Sequence, residues 1–134
     1  MSTWTATQLD GIDQAEELEV ITLRHDGSPR RPVPIWVVRV GDDVIVRSYR
    51  GEGGGWYRHA RDDGAGRVRV AGMDLAVTVA PVTDQEASEA IDAAYRAKYA
   101  RYGDSYLKPM VAEAARAATL RLTPHVTTNY KEDK

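Results

Sequence analysis

RRPVPIWVVRVGDDVIVRSYRGEGGGWYRHAR, residues 30–61, decides how the rest of the chain reads. At its centre Gly41-Asp42-Asp43 is a tight-turn signal between two runs of branched residues. A connection that short joins antiparallel neighbours, because a parallel pair needs a crossover of about a dozen residues or more. Strands are therefore expected over 33–40 and 44–49. Ile35, Trp36, Val37 and Val38 are consecutive, so both faces of the first strand must be covered. Pro32 and Pro34 confine its start to a sheet edge or a bulge. Beyond Tyr49, Gly51-Glu52-Gly53-Gly54-Gly55 is too flexible for a strand interior, and Trp56 to Arg61 opens a short helix.

Outward from this segment the same signals recur. Upstream, Leu18 to Arg24 is rich in branched residues and ends in the turn-forming His25-Asp26-Gly27-Ser28-Pro29, while Thr5 to Glu17 carries Leu9 and Ile12 on one face of a short helix that caps a barrel end. Downstream, Arg67 to Val70 and Met73 to Ala80 alternate apolar with polar or small residues, giving strands 66–71 and 73–80 joined at Ala71-Gly72. Thr83 and Glu86 form a capping-box pattern ahead of Ala87, Ile91, Ala94, Tyr95 and Tyr99 at helical spacing. That helix is expected to run to about Tyr102, with Gly103 as its stop and Pro109 in the first turn of a second short helix. A strand over 118–123 and a polar tail over 125–134 complete the chain. Six strands with hairpin-length links and a late long helix make an α+β order, a meander closing into an antiparallel barrel in one domain over 1–134.

Composition removes whole classes of chemistry. The chain of 134 residues holds no cysteine, which excludes disulfides, thiolate nucleophiles and iron–sulfur clusters. Eighteen basic and 20 acidic residues leave a net charge of -2, without the positive field that draws a protein to nucleic acid. No window approaches the ~20 apolar residues of a membrane span, and no leader pattern opens the sequence, so no membrane partner and a cytoplasmic location are expected. His25, His59 and His125 lack metal-ligand spacing, and no G-x-S-x-G elbow accompanies Ser48.

What remains is a set of anion-binding devices. Arg47, Ser48 and Arg50 supply donors at a strand end, the glycines let backbone amides approach a ligand, and the Trp56 helix points its first amides the same way. In a hairpin of 33–40 with 44–49, the start of one strand opposes the end of the other, which brings Arg30 and Arg31 toward Arg47 to Arg50. The segment also reads as an ordinary loop anchored by a tryptophan, and the arginines as solvated surface. Tyr95, Tyr99, Tyr102 and Tyr106 are either a roof for an aromatic cofactor or, on the commoner pattern, a helix packed on a barrel.

Arg31-Pro32-Val33-Pro34, Gly41-Asp42, Arg47-Ser48, Gly53-Gly54-Gly55 and Trp56-Tyr57, in that order, resemble the deazaflavin-dependent nitroreductase branch of the flavin-binding split-barrel superfamily. They are still closer to a related bacterial domain family of unknown function. The resemblance extends to the helix after Pro81-Val82 and the strand Thr119-Leu120-Arg121-Leu122. It implies a split β-barrel holding FMN or a deazaflavin, with Arg31, Arg47, Ser48, Tyr49, Gly54, Gly55, Trp56 and Tyr57 as cofactor contacts. It also implies a homodimer, an expectation reinforced by the apolar run at 35–38. No catalytic side chain is assigned, since the cofactor would carry the hydride chemistry of an oxidoreductase. The alternative is a non-enzymatic module that binds a small anionic ligand or only dimerises.

Overall fold

The computed structural model describes residues 3–125. Helix α1 (Ala6–Gln14) precedes strands β1 (Leu18–Ile21), β2 (Val33–Ile35), β3 (Val38–Val40) and β4 (Asp43–Arg47). Helix α2 (Gly55–Asp63), strands β5 (Ala65–Val70) and β6 (Met73–Pro81) and helices α3 (Gln85–Tyr99), α4 (Asp104–Val111) and α5 (Glu113–Ala117) follow, with β7 (Thr119–Pro124) last. All strand pairs are antiparallel, in one sheet of order β2-β1-β5-β6-β7-β4-β3. The α+β class and antiparallel curl agree with the sequence, but there are seven strands where six were expected. Of the polar tail over 125–134, everything from residue 126 on lies outside the described residues.

The extra strand comes from a break in the expected strand 33–40. Its first part, β2, pairs with β1 in the register Leu18↔Ile35, and its second, β3, pairs with β4 in the register Val38↔Ile45. These two parts form the opposite edges of the sheet, yet only Trp36 and Val37 separate them. Three Cα steps span at most ~11 Å, so the sheet must curl until its edges approach. The backbone groups freed at the break find partners from α3: Val37 N–H donates to the Tyr99 hydroxyl at 3.0 Å, and Lys98 Nζ donates to Val37 O at 2.8 Å.

Alternation along the strands then divides the core. Val44 and Val46 face the interior of the curl with Leu18, Val68, Val77 and Leu120, while Ile45 faces the other way, against Ile91, Tyr95, Tyr99, Leu107 and Met110 of α3 and α4. Val37 and Val38 divide in the same manner, one facing each cluster, while Ile35 and Trp36 remain partly exposed. The turns behave as their residues require, with Gly41, Ala71 and Gly72 at positive φ. Two details differ from the expected pattern. Asp84, not Thr83, caps α3 by accepting from Ala87 N–H at 2.8 Å, and Pro109 lies in the last turn of α4, not its first.

Candidate functional site

A cavity of about 710 Å³ opens where β4 ends, a volume in the range that holds a cofactor-sized ligand. Its apolar wall is built by Val33, Ile35 and Trp36 on one side and by Pro109 and Met110 of α4 on the other. Ser48, Tyr49 and Arg50 follow β4 along the rim, and Gly54, Gly55 and Trp56 form the end where α2 begins. Tyr49 and Tyr106 stand largely exposed at this cavity.

The α2 end is an unclosed donor set. Gly54 is the N-cap, no side chain caps the helix, and the first helical bond runs from Arg58 N–H to Gly54 O at 3.1 Å. The N–H groups of Gly55, Trp56 and Tyr57 therefore have no partner within the helix. Gly54 is dictated by packing, since a Cβ there would overlap Ser48 Oγ, whereas a Cβ on Gly55 would meet nothing within 4 Å. Ser48 is held at both backbone groups: its N–H donates to Ala118 O at 3.1 Å and its carbonyl accepts from Gly51 N–H at 2.9 Å. Its side chain is buried, and its hydroxyl has no hydrogen-bond partner among the described residues.

The structure separates the nine residues expected at the site. Ser48, Tyr49, Arg50, Gly54, Gly55 and Trp56 share the cavity. Arg47 reaches its wall, but the guanidinium is not at an exposed strand end: its side chain is 0% accessible. It pairs with Asp92 of α3 at 2.5 Å, donates to Met110 O at 2.9 Å and Ser88 O at 3.2 Å, and its Nε donates to Thr119 Oγ1 at 2.9 Å. The Tyr95 ring lies against it, 5.6 Å from centroid to Cζ. Asp92 is in turn held by Arg116 of α5, whose Nε donates to Oδ2 at 2.9 Å. With a carboxylate and three further acceptors engaged, the guanidinium has its hydrogen-bond partners inside the protein.

Arg31 is exposed and does not line the cavity, and Arg30 turns back to Leu23 O at 2.7 Å. The expected convergence fails because the hairpin onto β4 begins only at Val38. Residues 33–36 do reach the cavity beside Arg47 to Arg50, yet the arginines ahead of them belong to the β1–β2 side. Tyr57 is buried in the core, its hydroxyl directed at Ala117 O at 3.5 Å, so its side chain anchors α2 instead of lining the cavity.

Sequence reasoning did not single out Asp92, although a carboxylate in register with Ser88, Tyr95 and Tyr99 on the buried face of a helix is a readable signal. It also left Lys98 without a role and read Tyr99 only as a packing or roofing ring. Tyr99 stacks on the cavity residue Trp36 with centroids 3.9 Å apart and planes 2° from parallel, and its hydroxyl donates to Glu16 O at 2.8 Å. Burial pushes that hydroxyl up to about 12 and lowers the Lys98 amine. Among the described residues no cluster could hold a metal ion, and no helix is long and apolar enough to cross a membrane.

Solved structures share this fold at low identity. The conserved hypothetical protein Rv2991 from Mycobacterium tuberculosis is 13% identical with a TM-score of 0.60, over 91% of this chain and 80% of that one. A Bacteroides thetaiotaomicron protein described as "a putative 5-nitroimidazole antibiotic resistance protein" is 14% identical with a TM-score of 0.55, over 92% and 81%. HupZ from Group A Streptococcus is 15% identical with a TM-score of 0.50, over 90% and 92%. No curated protein matches. The family described as "Uncharacterized protein conserved in bacteria (DUF2255)" matches residues 8–122. That span holds the described fold except the start of α1 with the residues before it and the end of β7, and the chain belongs to this bacterial family.

Proposed function

We propose that the cavity binds a flavin-type cofactor, FMN or a deazaflavin, and that the chain serves as an oxidoreductase through it. The observation that carries this reading is the polarity of the cavity. Uncapped amides of α2, the Ser48 hydroxyl and Arg50 gather at one end, and an apolar, aromatic wall of Ile35, Trp36 and Met110 faces the rest. Such a division fits a ligand with an anionic tail and a planar ring, because helix N-termini attract phosphate and apolar walls exclude water from a ring. A bound flavin would supply the hydride or electron transfer.

The chain's own residues bind and orient. Gly55 and Trp56 offer backbone donors, Gly54 leaves room for the Ser48 hydroxyl beside them, and Arg50 adds a charge-assisted donor. Trp36 holds the wall in place through its stack on Tyr99. The description of the Bacteroides protein names nitroimidazole resistance, which makes reduction of nitro compounds the first activity to assay.

Absorbance of the purified protein in the flavin bands, followed by titration with FMN and with a deazaflavin, tests the reading. Binding of either at micromolar concentration supports it. Absence of binding by both overturns it, and binding without turnover of any electron acceptor leaves the non-enzymatic module.

A further inference from the structure

We infer that this site is built for a ligand whose anionic part is a single phosphate monoester, and that an extended polyanionic tail finds no counter-charge in it. The inference rests on the flavin reading above and sharpens it toward an FMN-type ligand.

Three charged residues line the cavity: Glu17, Arg47 and Arg50. Arg47 is already bonded to Asp92, Met110 O, Ser88 O and Thr119 Oγ1 with its side chain 0% exposed, so its guanidinium is not available to a ligand. Arg50 is the remaining cation of the lining, which also carries the carboxylate of Glu17. The α2 terminus adds the equivalent of about half a positive charge. One guanidinium and one helix end together come close to the roughly -1.5 to -2 of a phosphate monoester.

A second, independent feature directs that phosphate to the α2 end. Ser48 is 2% exposed, lines the cavity, and leaves its hydroxyl without a partner among the described residues. That hydroxyl borders the cavity and is not among the sealed unpartnered atoms of the described residues, which are Tyr95 Oη and Arg121 Nε, so it is free to donate to a phosphate oxygen at the open amides of Gly55 and Trp56.

Affinities of four ligands decide the matter: riboflavin, FMN, a ribityl deazaflavin without phosphate, and its counterpart with a phosphodiester and a glutamyl tail. FMN should bind at least tenfold tighter than riboflavin, and the tailed deazaflavin should gain no more over its ribityl form than FMN gains over riboflavin. Arg50→Ala should cut the FMN advantage about tenfold while leaving riboflavin within twofold. Gly55→Pro should do likewise by deleting one amide. Gly54 already has φ -64 and ψ 135, the conformation a residue before proline prefers, so this variant keeps the fold. Arg58→Ala, on the exposed part of α2, should change neither affinity.

Equal binding of FMN and riboflavin overturns the inference while the flavin reading stands, and so does a tail gain more than tenfold above the FMN gain. Failure of all four ligands to bind defeats the flavin reading and this inference with it.

Discussion

Arg47 and Arg50 are three residues apart, and the fold uses them in opposite ways. Arg47 lies under α3 with its side chain inaccessible and its donors engaged by Asp92, Met110, Ser88 and Thr119. Arg50 stands at the cavity mouth, exposed, with its Nε directed at the neighbouring Tyr49 hydroxyl at 3.2 Å. The first region has its hydrogen bonds filled within the chain, while the second keeps donors available for something outside it. Residue type alone does not distinguish them; the presence of a buried carboxylate 45 residues downstream does.

The sharpest way to break the contrast is to remove that carboxylate. Asp92→Ala leaves a buried guanidinium uncompensated, and loss of one partner from such a pair costs about 3–5 kcal/mol. Denaturant unfolding should register a loss of that size, and the double variant Arg47→Met with Asp92→Leu should recover much of it. A single variant within about 0.5 kcal/mol of the native protein would show that the pair is not closed to water.

On the open side, Gly54→Ala drives a Cβ into Ser48 Oγ and should cost about 1–3 kcal/mol by overpacking. Ser48→Ala in the same chain should restore most of that loss, and no restoration would mean the backbone itself needs glycine at this position.

The break in the strand expected over 33–40 could not be read locally, because Ile35-Trp36-Val37-Val38 serves equally as the middle of one covered strand. What breaks it is tertiary: Tyr99, 62 residues away, accepts from Val37 N–H, and its neighbour Lys98 donates to Val37 O. The turns at Gly41-Asp42 and Ala71-Gly72 were legible, since they depend on residues at the turn itself. At the site, Ser48, Arg50 and the glycines were legible as a loop meeting a helix. The withdrawal of Arg47 was not, because it depends on Asp92, which pattern reading left among the polar positions of an amphipathic helix.

Alkaline titration separates the regions by their tyrosines. Burial raises the hydroxyls of Tyr95 and Tyr99 in the fold, and an unfolded tyrosine titrates near about 10. Above that pH the unfolded chain has released protons that the folded chain retains, so stability falls as pH rises through about 10 to 12. Urea midpoints should decline over this range, and Tyr99→Phe should flatten part of the decline.

Arg50→Ala should have the smallest effect on stability, within about 0.5 kcal/mol, since an exposed arginine bonded only to its neighbour contributes little. A loss above 1 kcal/mol would place Arg50 in the framework with Arg47.

Strand β7 emerges from the ribosome after every other described element, yet it lies between β4 and β6 and bonds to both. Until it arrives, β2-β1-β5-β6 and β4-β3 are two ribbons with the long sides of β6 and β4 unpaired. Those open edges are templates for pairing with another chain, and the contacts that close them span long stretches of sequence. Closure of the sheet is therefore a late step of biosynthesis, and a nascent chain stalled before Thr119 exposes both ribbons to aggregation.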